Sequence, residues 1–417
     1  MIGLLLLLIG AFVASDVWSR YRVRVEVARL EENYGSLDIA SLQAPPVPDA
    51  DNRATVARAA AGLTVRPDNI GSALSSLTIK HPSSPVSADL RAFAEANRAA
   101  VRLAADIRTR RQSNWDAGHK RIISDGSRLP LMEIRTLSDA IWVTAVLDME
   151  AGRPDDAATA IGSGLALAAS LRQEPEMISE LIRIAVASRQ LEGVHQLITR
   201  AAPSNAALED LARWLAENRG PEPMTAALRG EMTMVNAAFT KMAGGRVDPG
   251  TATISPDSWP SWPRPHLGYF AQAGRPVVRL AHARYLARMR EILEAQSDPR
   301  PRPAPPEPSE PARWDYVEKL ARVFILGIER AVQTGHEFTS ELGATEVAVA
   351  LRRFQLDRGH YPDDLSQLVP AYLTAIPTDP YTRKPPAYAR EAGGFTLRAE
   401  RASTDATHRR PREWIVK

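Results

Sequence analysis

Residues 129–171 read LPLMEIRTLSDAIWVTAVLDMEAGRPDDAATAIGSGLALAASL. Apolar residues recur at helical spacing as far as Gly152, which indicates a helix that stops near this glycine. Pro154 is tolerated in the first turn of a second helix, and Asp155 and Asp156 suit the positive end of that helix. The segment therefore predicts two antiparallel helices joined by a tight turn.

The helical pattern continues on both sides of this hairpin. Asp49 or Asp51 can cap a helix that ends at Gly62, and Asn97 is the one polar interruption in an apolar stripe that follows Ser87. Further helices are expected after Pro175, after an N-cap at Ser204, over 221–242 and over 277–294.

The hairpin of residues 129–171 resembles a tetratricopeptide-type unit. Repeats of that type keep a period of about 34 residues, and this period does not recur along the chain. The predicted fold class is therefore mainly α: a helical-hairpin, tetratricopeptide-like bundle after an N-terminal transmembrane anchor, with a small C-terminal α+β module.

The N-terminal segment is apolar and uncharged from Met1 to Ala14. Crossing a bilayer takes about 20 such residues, so the segment is either a short transmembrane anchor or a signal segment, with Val13 to Ser15 offering small residues for cleavage. Trp18 and Tyr21 suit the headgroup region, where amphipathic rings settle. A retained anchor is the favoured interpretation.

Composition excludes several classes of protein. The 417 residues carry a net charge of +3, and 44% are hydrophobic, which is enough for a folded core. Arginine alternates with aspartate and glutamate along the chain, so no nucleic-acid partner is expected. Because cysteine is absent, disulfides, thiol nucleophiles and thiolate metal sites are excluded.

Proline divides the second half of the chain. Residues 298–308 read DPRPRPAPPEP, which is typical of a stiff linker. Trp259 and Trp262 lie among prolines in an earlier loop, where they either contact a partner or membrane or pack back on the bundle. The predicted organisation is an anchor or signal segment (1–22), a neck (23–48), the α-helical bundle (49–296), a proline-rich linker (297–312) and a C-terminal module (313–417).

The C-terminal module predicts a long helix from Trp314 to about Asp357, with Gly343 as a candidate bend. A short capped helix at 363–369 and two strands, 386–390 and 395–399, follow. The order of these elements, with Leu351 to Pro362 and Ile376 to Pro380, resembles the C-terminal part of the major pseudopilin of type II secretion. That resemblance implies a long helix packed on a small antiparallel sheet.

The chain also departs from the pseudopilin pattern. It has no pseudopilin processing site, and its long helix lies far from the N-terminus. Pseudopilins hold calcium in an acidic loop after the last strands; here Glu400, Asp405 and Glu413 lie among five arginines, so no metal is carried over. Over Pro46 to Asn52 and Leu129 to Arg135 the chain is similar to membrane-anchored helical envelope proteins of bacteria, which implies export.

Several motifs contain part of a catalytic or metal-binding signature. His336-Glu337 begins like a zinc-protease helix but lacks the second histidine, and Gly162-Ser163-Gly164 falls within a helix, where packing is the better account. Asp363-Asp364 is interpreted as a helix start. Glu180 and Arg183 are either a buried functional couple or, the favoured interpretation, a surface ion pair. No catalytic, cofactor-binding or metal-binding residue is predicted, and no cofactor is expected.

These observations predict a single-pass, non-catalytic scaffold of the bacterial envelope, with the bilayer and a protein as partners. Arg20, Arg22 and Arg24 follow the apolar segment, so the positive-inside tendency favours a cytoplasmic body. The two resemblances favour a periplasmic or extracytoplasmic body, and this placement is the expected one. The alternatives are an accessory component of a type II secretion or pilus-like apparatus, and an enzyme whose site forms only in three dimensions.

Overall fold

The computed structural model describes residues 2–77, 86–115, 129–220, 222–244, 274–297, 315–380, 382–399 and 413–416. Most of these residues are helical, and a small antiparallel sheet lies near the C-terminal end, so the mainly α prediction is confirmed. The α-helices are α1 (Ile2–Tyr34), α2 (Arg53–Gly62), α3 (Ile70–Ser76), α4 (Ala88–Ala96), α5 (Arg98–Ala104), α6 (Leu131–Glu150), α7 (Pro154–Ala169), α8 (Met177–Arg200), α9 (Asn205–Glu217), α10 (Glu222–Ala243), α11 (Arg275–Ser297) and α12 (Tyr316–Arg358).

The central hairpin forms as predicted, with α6 and α7 joined at Gly152. This glycine has a φ of 71°, a left-handed conformation that favours glycine, and Pro154 opens α7. A Cβ at Gly164 would lie 2.3 Å from Cδ of Gln190 on α8, so the missing side chain lets α7 and α8 approach closely. The packing interpretation of the Gly-Ser-Gly motif is confirmed.

Two helix ends differ from the prediction. Asn52 caps α2, in place of Asp49 or Asp51, because its side chain accepts a hydrogen bond from the backbone of Ala54. Asn97 separates α4 from α5. Its buried side-chain amide accepts a hydrogen bond from the backbone N–H of Val65 at 2.8 Å and donates one to the backbone carbonyl of Val65 at 2.9 Å, and the helix is interrupted at this residue. The N-caps expected at Ser87 and Ser204 are confirmed.

One hydrophobic cluster connects distant parts of the described chain. It contains Leu30 of α1, Ile141 of α6, Leu191 of α8, Val347 of α12 and Trp414 near the C-terminus, all fully buried. Helices from the predicted bundle and the long helix of the predicted C-terminal module thus contribute to the same core. The division of the chain at residues 297–312 stays a prediction.

The long helix α12 runs through Gly343 as one element and ends at Gly359, whose φ is 76°. A Cβ at Gly343 would lie 2.8 Å from Cβ of Pro377, so the glycine provides room for the segment that follows the helix. The short helix predicted at 363–369 is a 3₁₀ turn, Leu365–Leu368, and Asp364 caps it.

The sheet contains β1 (Ala387–Arg390), β2 (Phe395–Arg398) and β3 (Glu413–Val416), in that order and antiparallel. Two strands were predicted; the third was missed because a short apolar run among five arginines gives little strand signal. Trp414 of β3 is fully buried, and its ring lies 4.6 Å from that of His195 on α8. The sheet therefore packs against the bundle through the contact of Trp414 with His195.

Gly230 of α10 provides a test of the packing of helices. A Cβ there would lie 1.8 Å from the carbonyl oxygen of Pro175, which is backbone and cannot turn aside. Gly230→Ala is expected to lower the free energy of unfolding by about 1–3 kcal/mol through overpacking.

The matched control is Gly327→Ala in α12, where a Cβ meets nothing within 4 Å. This exchange is expected to stabilise by roughly 0.5–1 kcal/mol, as alanine does in an open helix position. Urea unfolding in detergent micelles, followed by circular dichroism, measures both variants. Equal stability of the two variants would contradict the close approach at Pro175.

Candidate membrane-attachment site

The first half of α1 extends away from the rest of the protein. All described side chains from residue 2 to residue 14 are exposed, and nearly all are apolar. Among the described residues, this is the helix long and apolar enough to cross a bilayer, with a mean hydropathy of 2.0 over its most apolar window. The N-terminal prediction of a membrane-spanning helix is confirmed as far as length and composition decide it.

The second half of the same helix packs against α11. Ser19, Glu26 and Leu30 of α1 are buried, and two ion-paired positions join the helices: Asp16 with Arg279, and Glu26 with Arg290 at 3.3 Å. The residue numbers of the paired positions increase in the same direction along both helices, so α1 and α11 are parallel. Residue 22, the predicted end of the anchor, lies inside this continuous helix.

The other long helices can be placed relative to this end. α12 is parallel to α11, because three contacts advance together: Arg284 with Glu318 (2.8 Å), Arg288 with Glu329 (2.6 Å) and Gln296 with His336 (2.9 Å). The N-terminal ends of α11 and α12 therefore lie on the same side as the apolar half of α1. We call residues 16–24, 275–284 and 315–322 together the collar.

Aromatic and apolar side chains are exposed on the collar. The exposed fractions are 53% for Trp18, 57% for Tyr21, 41% for Tyr316 and 37% for Val277. From the helical rise, Tyr316 lies within about 5 Å of the level of Asp16 along the bundle. Exposed tyrosine and tryptophan around a spanning helix are typical of the membrane–water interface.

The collar also concentrates positive charge. It contains eight arginines and lysines and three acidic residues, whereas the whole chain has a net charge of only +3. The rest of the chain therefore has a slight negative excess. Asp16 pairs with both Arg20 and Arg279, and Glu318 pairs with Arg284, while Arg22 and Arg24 are exposed.

The pair Glu180–Arg183 is buried, so the favoured interpretation as a surface ion pair is wrong. Both side chains are 3% exposed, and the guanidinium donates two hydrogen bonds to the carboxylate, at 2.6 and 2.8 Å. The guanidinium also lies 5.1 Å from the ring centroid of Phe338 on α12. Spacing within one helix could not reveal that α12 covers this face.

The remaining candidate residues have separate, structural positions. His336 bonds Gln296 at 2.9 Å, Asp364 caps the 3₁₀ turn as predicted, and Asp363 pairs with Arg390. Trp259, Trp262 and the proline-rich segment 298–308 lie outside the described residues. Within the described ranges, no group of three or more histidine, aspartate or glutamate side chains could hold a metal ion.

A pocket of about 460 Å³ lies beside the cap of α2, where Asp49, Thr55 and Arg58 line it. Asn52 and Asn114 join its two walls through paired hydrogen bonds of 2.9 and 3.0 Å. This pairing gives the polar segment Pro46 to Asn52 a structural role.

Three titratable groups with shifted pKa values lie in the collar or next to it. Burial lowers the pKa of His282 to about 4, and its ring stacks on Phe239 with centroids 4.9 Å apart. Burial, aided by the charge of Glu231, raises the pKa of Tyr285 well above its ordinary value. Burial and then the neighbouring Glu176 raise the pKa of Glu231.

Fold and site together define a mainly helical protein whose N-terminal helix is long and apolar enough to span a membrane. No known protein family, curated protein or solved structure matches the chain. Its function is therefore inferred from its own geometry.

Proposed function

We propose that this protein is a membrane-anchored, non-catalytic scaffold of the bacterial envelope that binds another protein. The observation that carries the proposal is the course of α1, which passes as one helix from an exposed apolar half into the core. The half-buried ion pairs of Asp16 and Glu26 with α11 fix the body directly to this helix. The bilayer is the first proposed partner.

The scaffold part of the proposal is supported by the stacked helices α6 to α9. Antiparallel helices packed side by side leave grooves that accept peptides or partner helices, as tetratricopeptide-type proteins do. The described surface adds exposed apolar side chains on separate elements, including Leu63, Met132 and Ile178. A protein partner of mixed apolar and polar surface fits this arrangement.

Anchoring is tested with the triple variant Leu6→Arg, Leu7→Arg, Leu8→Arg. Each arginine at the centre of a spanning helix costs about 2.5–3.5 kcal/mol, so the variant is expected to leave the membrane fraction. The matched control places three arginines at exposed apolar positions of the body: Leu63, Val65 and Met132. Cell fractionation with an alkaline carbonate wash measures both variants. A triple variant that stays with the membrane, or unchanged protein found in the soluble fraction, would remove the proposal.

The side of the membrane on which the body lies is a separate proposal, and it can be tested in the same cells. We propose an extracytoplasmic body, which the resemblances to envelope proteins and to pseudopilins support, although the collar arginines favour the opposite side. Protease added to intact spheroplasts is expected to digest the body. Digestion only after lysis would reverse the orientation and leave the anchoring proposal in place.

A second candidate function is an accessory role in a type II secretion or pilus-like apparatus. The observation that favours it is the order of elements in the tail: the helix α12, the turn at Gly359, the 3₁₀ turn and the antiparallel sheet. Crosslinking of the full-length protein in intact cells is expected to capture pseudopilin or secretin components. Their absence among the captured partners, with other envelope proteins present, would count against this role.

A further inference from the structure

We propose that the collar binds the headgroups of anionic phospholipids. This inference rests on the proposed anchoring and adds the chemical class of lipid. Three sequence segments that are far apart, 16–24, 275–284 and 315–322, meet at one end of the body. Only the parallel packing of α1, α11 and α12 brings them together.

The charge of this surface has the sign that an anionic headgroup requires. The collar contains eight basic residues and three acidic ones, so its net charge is positive. Arg22 and Arg24 are exposed on α1, and the guanidinium of Arg22 lies 5.9 Å from the ring centroid of Trp18. Arginine forms paired hydrogen bonds with phosphate oxygens, so Arg22 can donate to a phosphate that lies near Trp18.

The surroundings of these charges favour lipid over other polyanions. The collar lies at the base of the apolar half of α1, and Trp18, Tyr21 and Tyr316 are exposed among its basic side chains. Such rings settle at the level of the headgroups, which places the arginines beside the phosphates. Basic residues attract an anionic surface within about one Debye length, about 8 Å at physiological salt. A nucleic-acid surface would not need an apolar helix at its centre.

The test uses Trp18 as a reporter of the lipid at the collar. The full chain is reconstituted into vesicles that contain brominated phosphatidylglycerol or brominated phosphatidylcholine, both of which quench tryptophan on contact. Subtracting the signal of Trp18→Phe isolates this ring from the other seven tryptophans. The ratio of quenching by the two lipids gives their relative association at the collar.

A preference for the anionic lipid of at least about fivefold is expected, the effect of a single charge near an anionic surface. The variant Arg22→Gln, Arg24→Gln, Lys319→Gln is expected to lose most of this preference. The matched control Arg102→Gln, Arg111→Gln, Arg135→Gln removes three exposed arginines elsewhere and is expected to keep it.

The outcomes separate the two proposals. Equal quenching by both lipids would overturn the headgroup inference and leave the anchor intact. No quenching of Trp18 by either lipid would overturn the anchoring on which the inference rests. Equal loss in the collar and control variants, or tight DNA binding without a lipid preference, would show that the collar is not a lipid surface.

Discussion

Arg183→Met is expected to lower the free energy of unfolding by about 3–5 kcal/mol, because it leaves a buried carboxylate without its partner. Glu180 and Arg183 are both 3% exposed, so water cannot replace the lost hydrogen bonds. The guanidinium also packs on Phe338 of α12, and that contact disappears as well. The change therefore weakens the packing of α8 against α12.

Two comparisons decide whether burial is the cause. The double variant Glu180→Leu, Arg183→Met is expected to regain most of the loss, since a buried ion pair replaced by apolar groups is often neutral. Arg98→Met removes an exposed pair of the same spacing, with Glu95, and is expected to cost no more than about 1 kcal/mol. Urea unfolding in micelles measures all three. A loss of similar size for Arg183→Met and Arg98→Met would contradict the burial of the first pair.

Acidification from pH 7 to pH 4 is expected to remove about 3 kcal/mol of stability through His282 alone. Burial lowers the pKa of this histidine from 6.5 to about 4, so the folded protein resists a proton that the unfolded chain accepts. The free energy of unfolding is unaffected by His282 above about pH 6.5, where the histidine is neutral in both states. It decreases as the pH falls towards 4, and below that value the effect of His282 is constant. Burial raises the pKa of Glu231, which acts in the opposite direction over part of this range.

The difference between the unchanged protein and His282→Phe isolates the histidine, because all other titrating groups are common to both. Phenylalanine can keep the stack on Phe239, whose ring is parallel to the imidazole within 7°. At half-unit steps of pH, the unfolding free energy of the unchanged protein is expected to fall by about 3 kcal/mol relative to that of the variant between pH 7 and pH 4. Parallel curves from pH 7 to pH 4 would show that His282 is accessible to protons in the folded protein.

Local signals in the sequence were sufficient for most helices. The apolar period of 129–171, the turn at Gly152 and the hydroxyl caps at Ser87 and Ser204 depend on residues a few positions apart, and each is found where it was predicted. Asn97 was visible as an interruption, but its partner, Val65, is 32 residues away. The end of α4 therefore could not be predicted from the stripe.

The candidate site was mostly hidden from the sequence. Trp18 and Tyr21 were recognised as interfacial, and the arginines after the apolar segment as an orientation signal, since all of them are adjacent in the chain. Tyr316 and Arg279 join them only because α11 and α12 run parallel to α1. Arg279 lies roughly 260 residues and Tyr316 roughly 300 residues further along the sequence, so neither position gives a local indication of this contact. Asp16 within an apolar helix was the one hint that a basic partner existed.

The unbroken course of α1 has a mechanical consequence. With 33 residues, α1 is about 50 Å long, and its membrane half and its body half share one axis. Spanning helices tilt by about 20° on average and tilt further when the hydrocarbon layer is thinner than their apolar length. Because the helix is continuous between these halves, a tilt of the membrane half rotates the whole body through the same angle. The thickness of the bilayer therefore sets the orientation of the bundle relative to the membrane.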